Sequence, residues 1–243
     1  MSDTADRKPL AGKLALVTGA SRGIGAATAI ELAARGAHVV LTARDDRKLE
    51  QVEDAIHAAG GSATIAPMDL AEPDSIARLA TAIGGRWDAL DILVINAASF
   101  VPLTPVQDVD SRAFSKALTV NVLATQNLIA AFHPMLKRAE AGRVIGVTSS
   151  VGERPRAYWS GYAATKAAFD NLLISYALEN ANTSQIRCAV VNPGATRTEM
   201  RARAFPGEDP QTVQPPEDVA VFMANMLGEQ FPNGQIIPVK DLK

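Results

Sequence analysis

Residues Leu14 to Gly25 read LALVTGASRGIG. Leu14 to Val17 is a short apolar run that ends in a glycine-punctuated turn. The residues after the turn repeat their apolar positions at helical spacing, at Ile24, Ala27, Ile30 and Leu32. A short apolar run bounded by glycine predicts a buried strand, and the spacing beyond it predicts a helix. Strand, glycine turn and helix start together suit the pyrophosphate of a dinucleotide. Backbone N–H groups and the positive end of the helix face the phosphates, and glycine lets the backbone come close. The glycines stand as G-x-x-x-G-x-G, at Gly19, Gly23 and Gly25, rather than as the commoner G-x-G-x-x-G.

Outward from this stretch the chain alternates between two periodicities. The first helix is expected over Gly23 to Ala34, closed by Gly36, and a second strand over His38 to Thr42. A helix over Lys48 to Ala59 and a strand over Ser62 to Ala66 follow. Pro73 suits the first position of a helix reaching Gly84, and Leu90 to Ile95 reads as the fourth strand. A loop with Pro102 and Pro105 leads into one long helix over Ser111 to Lys137. Gly142 to Thr148 is the fifth strand, and Tyr158 to Asn180 the second long helix. Ile186 to Val191 is the sixth strand, Pro216 to Leu227 a short helix, and Gln235 to Val239 a seventh strand. Alternating strands and helices without a linker or repeat predict a doubly wound α/β fold with a mostly parallel sheet and helices on both faces. Ligands then bind beyond the carboxyl ends of the strands, beside the first one.

Composition narrows the function. With 47% hydrophobic and 21% charged residues among 243, the chain has enough apolar material for a sizeable core. A net charge of −2 offers no general attraction to nucleic acid. A single cysteine, Cys188 in the apolar run Ile186 to Val191, excludes an intrachain disulfide and a multi-cysteine zinc site. No metal is expected. Met1 to Gly12 is polar, lacks the apolar segment of a signal peptide, and reads as a tail; no run has the length of a membrane span. The expectation is a cytoplasmic protein with no membrane or nucleic-acid partner.

Tyr162 and Lys166 are four apart in a helical stretch and share one face. Ser149 falls at the carboxyl end of the fifth strand. An ammonium beside a phenol favours the phenolate and lowers the phenol pKa, so such a pair passes a proton to or from a substrate oxygen. The serine hydroxyl is suited to bond the same oxygen.

These residues carry a resemblance over nearly the whole chain. TGASRGIG (Thr18 to Gly25), YAATK (Tyr162 to Lys166), Ser149 thirteen residues before Tyr162, Asn121 in TVNVLA and NPGATRT (Asn192 to Thr198) together resemble the short-chain dehydrogenase/reductase family, in its compact Rossmann-type form. The resemblance implies one catalytic domain over residues 13–243 and an NAD(P)-dependent oxidoreductase acting between a carbonyl and an alcohol. It implies that Tyr162 is the acid in reduction and the base in oxidation. Lys166 lowers the pKa of Tyr162 and holds the nicotinamide ribose, Ser149 orients the substrate oxygen, and Asn121 supports a water relay to Lys166. Cofactor contacts are implied at Gly19, Ser21, Arg22, Gly23, Ile24 and Gly25 in the turn, and at Arg44 after the second strand. They are also implied at Asp69 and Leu70 after the third strand, at Asn96 and Ala97 after the fourth, and at Pro193, Gly194, Thr196 and Thr198 after the sixth. Asp69 alternatively caps the next segment, and Thr198 alternatively caps a helix. Ile95-Asn96-Ala97-Ala98 stands where the family commonly has Asn-Asn-Ala-Gly, and the tail from Gly234 to Lys243 lacks the family's usual Asp-Gly-Gly ending.

For the dinucleotide, Asp45 lies near the distance at which a carboxylate bonds the ribose diol of NAD. By strand position the equivalent site is Ala43, followed by Arg44. With Arg22, two guanidiniums suit the 2′-phosphate of NADP, so NADP(H) is favoured and NAD(H) possible. The substrate, a small carbonyl or alcohol, is expected between the loop Ser99 to Gln107, residues Gly152 to Gly161, and Glu199 to Pro215. Tyr158 and Trp159 either wall that pocket, pack on the core, or meet another subunit. Arg201 and Arg203 are candidates for an anionic substrate or for a solvated helix, and 3-oxoacyl-carrier-protein reduction is a less favoured assignment. The two long helices suit pairing of copies as a homodimer or homotetramer. Two rival readings remain. One is a non-enzymatic dinucleotide sensor or scaffold. The other is a serine hydrolase built on Gly19-Ala20-Ser21-Arg22-Gly23, which lacks a plausible histidine at His38, His57 or His133.

Overall fold

A computed structural model of the chain describes residues 8–228 and 231–239. Its centre is a seven-stranded sheet in the order β3-β2-β1-β4-β5-β6-β7, with every pairing parallel. The strands are β1 (Leu14–Thr18), β2 (His38–Thr42), β3 (Ser62–Ile65), β4 (Ile92–Ile95), β5 (Arg143–Val147), β6 (Arg187–Asn192) and β7 (Ile236–Pro238). The helices are α1 (Gly23–Ala34), α2 (Asp46–Ala58), α3 (Ser75–Gly84), α4 (Ser111–Leu118), α5 (Ala124–Arg138), α6 (Ser150–Glu153), α7 (Ser160–Asn180), α8 (Glu199–Ala204) and α9 (Pro216–Asn225).

The strands are apolar on both faces because both faces are covered. Along β1, Leu14 and Leu16 join a core with Phe132, Phe169 and Leu173 from α5 and α7. Ala15 and Val17, pointing the other way, join Leu32 of α1, Leu49 of α2 and Ala224 of α9. The chain reverses its direction of winding between β1 and β4, so their carboxyl ends open the crevice in which such folds bind ligands.

The elements differ from the sequence expectation in four places. The helix after Pro73 starts at Ser75, because Asp74 takes a left-handed backbone (φ 58°) that interrupts the first turn. The long helix expected over Ser111 to Lys137 is divided by a π-helical turn, Thr119–Leu123. The short helix α6 is absent from the sequence expectation, since at four residues it falls below the length at which periodicity is readable, whereas α8 is the helix that the capping reading of Thr198 allowed. Finally, residues 8–12 are not a free tail. Leu10 N–H donates to the Arg35 carbonyl, and Lys8 packs where a Cβ on Gly36 would stand. The expected tail over residues 1–7, and Lys240 to Lys243 at the other end, lie outside the described residues.

Gly146 of β5 controls how closely α7 approaches the sheet. A Cβ there would overlap Leu173 Cδ1 and lie 2.8 Å from Phe169 Cζ. Gly146→Ala is therefore expected to lower stability by about 1–3 kcal/mol through overpacking. Thermal unfolding checks it, and an unchanged midpoint would mean that α7 is free to move away from β5.

Candidate active site

A cleft of about 1920 Å³ follows the carboxyl ends of the strands. It exceeds the roughly 300–1,000 Å³ that suits a single small ligand.

One end is built by the β1 turn. Gly19 has φ +67°, a backbone that L side chains rarely adopt, and a Cβ on Gly25 would overlap the Gly19 carbonyl. The turn is clamped to β4 by Thr18, whose hydroxyl donates to the Val94 carbonyl and accepts from the N–H groups of Asn96 and Ala97 (3.0 and 3.1 Å). Asn96 also donates its side-chain amide to the Thr18 and Gly19 carbonyls. It thus braces the glycine turn even though its usual neighbours are replaced. Ser21, Arg22, Gly23 and Ile24 line the cleft, and no side chain caps the start of α1. The first-turn N–H groups of α1 therefore carry the partial positive charge that favours an anion.

Beyond β2, Asp45 is the N-cap of α2, accepting from Lys48 N–H, and lies 3.9 Å from the Lys48 ammonium. Its carboxylate is thereby used within its own helix start. Arg44 lies 4.0 Å from Asp69, and Arg22 pairs with Glu199. Both guanidiniums remain at least half exposed on the cleft. Asp69 Oδ1 accepts from Ala71 N–H, so this residue does cap the following segment while lining the cleft beside Leu70.

The opposite wall belongs to α7. Tyr162, Lys166 and Asp170 follow one another at intervals of four, and all three are buried (6%, 2% and 5% exposed). Lys166 Nζ donates to the Val147 carbonyl at 2.7 Å, which turns the ammonium toward the end of β5. Burial lowers its pKa to about 8, with the charge of Asp170 acting in the opposite direction. Burial also raises the Tyr162 phenol well above its ordinary value, and Asp170 adds to the rise. The expected lowering of that phenol by Lys166 is absent here. The ammonium is 6.0 Å from the ring centroid and committed to a carbonyl, so it does not outweigh desolvation. The phenol hydroxyl faces the Met200 sulfur at 3.7 Å.

Ser149 begins α6 without a side-chain capping bond, and it lines the cleft alongside Tyr162 and Lys166. Asn121, inside the π turn and 1% exposed, binds both the N–H and the carbonyl of Ser99 and donates to the Thr165 hydroxyl. It ties the loop after β4 to α7, and the π turn is where the helix opens around it. Pro193, Gly194, Thr196 and Thr198 line the cleft after β6. Thr198 is the N-cap of α8, accepting from Arg201 N–H, as the capping alternative expected.

Asp170 was missed by sequence reasoning, although its spacing from Lys166 repeats that between Tyr162 and Lys166. Phe100 and Phe205 were also missed as individual residues. They stand in loop and helix-end positions that carry no period, and only the fold brings them together beside Trp159. Tyr158, by contrast, is 61% exposed, so it neither walls the pocket nor joins the core. The histidines stay outside the cleft: His38 contacts Ser62 and Thr64, His133 contacts Tyr176, and His57 is in the last turn of α2. Ser21 therefore has no histidine base, which removes the hydrolase reading. Cys188 is buried, and burial raises its thiol pKa, as befits a structural thiol.

Comparison with known proteins bears on this geometry. A family model described as short chain dehydrogenase matches residues 13–209. The oxidoreductase YciK of Escherichia coli is 34% identical over 220 residues, covering 89% of this chain and 86% of that protein. A short-chain dehydrogenase structure from Pseudomonas syringae superposes with a TM-score of 0.93 at 36% identity, covering 99% of both chains. A short-chain dehydrogenase of Escherichia coli in complex with NADPH gives a TM-score of 0.91 at 33% identity, covering 96% of this chain and 99% of that one. Among the described residues no helix is long and apolar enough to cross a membrane.

Proposed function

The chain belongs to the short-chain dehydrogenase family, and from that membership we propose that it interconverts a carbonyl and a secondary alcohol with NADP(H), using Tyr162 to give or take the proton. The observation that carries the reading is the convergence of Ser149, Tyr162 and Lys166 on the same cleft as the glycine turn. The proposal assigns residues 13–243 to one catalytic domain.

The donor set fits an NADP-sized group. The uncapped start of α1 and the Gly19–Gly25 turn suit a pyrophosphate, and Arg22 and Arg44 suit a further phosphate. Pro193, Gly194, Thr196 and Thr198 would hold the nicotinamide side, and Asp69, Leu70, Asn96 and Ala97 the adenosine side. When bound, the cofactor supplies or accepts the hydride. Tyr162 donates its hydroxyl proton to the oxygen of the reacting carbonyl while Ser149 hydrogen-bonds that oxygen. Lys166, swung from the Val147 carbonyl toward the ribose, places its positive charge where it stabilises the phenolate left behind. Asn121 fixes the backbone of Ser99 against α7 and so holds this wall in register. The E. coli structure bound to NADPH supports the choice of dinucleotide, and so does the use of Asp45 as a helix cap.

NADPH is expected to raise the thermal midpoint of the purified protein more than NADH does, since a ligand of the native state stabilises it by mass action. Arg44→Ala should weaken NADPH about 10–100-fold and leave NADH nearly unchanged, the size expected for one charge-assisted bond to a phosphate. Equal losses for both dinucleotides would remove the 2′-phosphate assignment, and failure of either to bind would remove the oxidoreductase reading. Pairing of copies along α5 and α7 is part of the same proposal. It is supported by the exposure of Leu178 on α7 and of Leu123 just before α5, and a one-chain mass in sedimentation would remove it.

A further inference from the structure

We infer that the substrate end of the cleft takes a neutral carbonyl compound with an apolar, ring-sized body, rather than an anion or a polyol. The inference rests on the reading of Tyr162 as the proton donor, since that residue fixes where the carbonyl sits.

Four aromatic rings meet around that point. Trp159 is 6.0 Å from Phe100, 6.3 Å from Tyr162 and 5.8 Å from Phe205 between centroids, and Phe100 is 5.5 Å from Tyr162. All four line the cleft, with Met200 completing the surface around the phenol hydroxyl. A hydroxyl whose near polar neighbour is a thioether lies in an apolar setting, where a sugar's hydroxyls would be left without partners.

The wall is also held in place. Tyr158 has φ +72°, strained for an aromatic residue, and its carbonyl accepts from Thr104 N–H, tying the loop after β4 to the start of α7. Its own side chain faces solvent while the next residue, Trp159, stands in the cleft. A Cβ on Gly161 would lie 2.8 Å from Val101 Cγ1, so the backbone behind Trp159 has no room to withdraw.

Arg201 and Arg203 each stand beside a carboxylate, and Glu199 serves both Arg203 and Arg22. Arg201 donates to both carboxylate oxygens of Glu208 (2.6 and 2.5 Å) and its guanidinium lies 3.7 Å above the Phe205 ring. Arg203 lies 3.7 Å from Glu199. To recruit Arg201, an anionic substrate would have to break its pair with Glu208, so Arg201 shapes the apolar wall instead. Lys116 and Arg197 also line the cleft, and neither takes part in the ring contacts.

The test uses full-length protein loaded with NADPH. A panel of neutral ring ketones, acetophenone and cyclohexanone among them, is compared with pyruvate and dihydroxyacetone. The best ring ketone should exceed both in kcat/KM by about 100-fold, the effect of burying a ring-sized apolar body. Trp159→Leu and Phe205→Ala should each raise its KM about 10-fold with little change in kcat. Trp87→Phe leaves Trp159 as the sole tryptophan, so saturable quenching of its emission reads the pocket without turnover. Ring ketones that quench Trp159 while no carbonyl is reduced would support the pocket and overturn the oxidoreductase reading. Better reduction of pyruvate or dihydroxyacetone, or ring ketones without effect on Trp159, would overturn the pocket.

Discussion

Tyr162→Phe is expected to lower kcat for carbonyl reduction by about 10³-fold, within the range for loss of a positioned general acid, while NADPH affinity stays nearly unchanged. The substitution removes one atom from a side chain whose ring remains packed between Phe100 and Trp159. The lost hydroxyl contacts only the Met200 sulfur among the hydrogen-bond partners described, a weak acceptor, so folding stability should hardly move. Burial and Asp170 both hold the phenol protonated through the physiological range, the state that reduction requires of an acid. Oxidation needs the phenolate, which this arrangement disfavours until Lys166 turns toward it. The alcohol-oxidising direction should therefore show the steeper rise with pH. Retained turnover in Tyr162→Phe would overturn Tyr162 as the proton donor, whereas NADPH binding with no turnover in the parent protein would leave the dinucleotide sensor as the better account. Turnover under single-substrate saturation, paired with an NADPH titration of parent and variant alike, separates the two.

How much of this was legible in the sequence depends on the range of the interactions involved. The strand-turn-helix at Leu14 to Gly25 could be read because its determinants are local: an apolar run, glycines where the backbone demands them, and helical spacing afterwards. The same holds for Tyr162 and Lys166, where four residues on a helix fix a shared face. The π turn at Thr119–Leu123 could not be read, because its residues suit an α-helix. What accompanies the local opening there is tertiary, the three bonds from Asn121 to Ser99 and Thr165. The bracing bonds of Asn96 could not be read from the sequence, because the carbonyls they reach lie 78 and 77 residues away in the chain. The protonation of Tyr162 was misread for a related reason. Proximity of a lysine at four residues argues for a lowered phenol pKa, but burial of both groups and the Val147 carbonyl reverse the balance. Neither is visible from spacing.

The second large effect is expected from Lys166→Met, which should lower turnover by about 10²–10³-fold, the usual size for removing a preorganised electrostatic contact. Its effect on stability distinguishes this lysine from a surface neighbour of Tyr162. Asp170 is 5% exposed, neither carboxylate oxygen has a hydrogen-bond partner, and Thr148 faces it without closing a bond of normal length. Its pKa rises from 3.8 to about 6 through burial, with Thr148 and Lys166 opposing the rise and Glu153 adding to it. A carboxyl raised in the folded state contributes stability that is full below 3.8 and is lost as pH climbs to about 6. Removing Lys166 takes away an opposing charge, so this loss should extend to higher pH and the variant should be less stable than the parent near neutrality. Lys166 itself is lowered from 10.5 to about 8, so the parent gains stability from it as pH rises across that interval. The variant should lack that rise. Thermal midpoints across the pH range for the parent, Lys166→Met and Lys166→Met/Asp170→Asn provide the check. The double variant should recover the stability lost near neutrality, because a neutral amide no longer needs a counter-charge, but it should recover none of the activity. Recovery of both would mean that Lys166 serves only to neutralise Asp170, and Tyr162 would then need another source of positive charge.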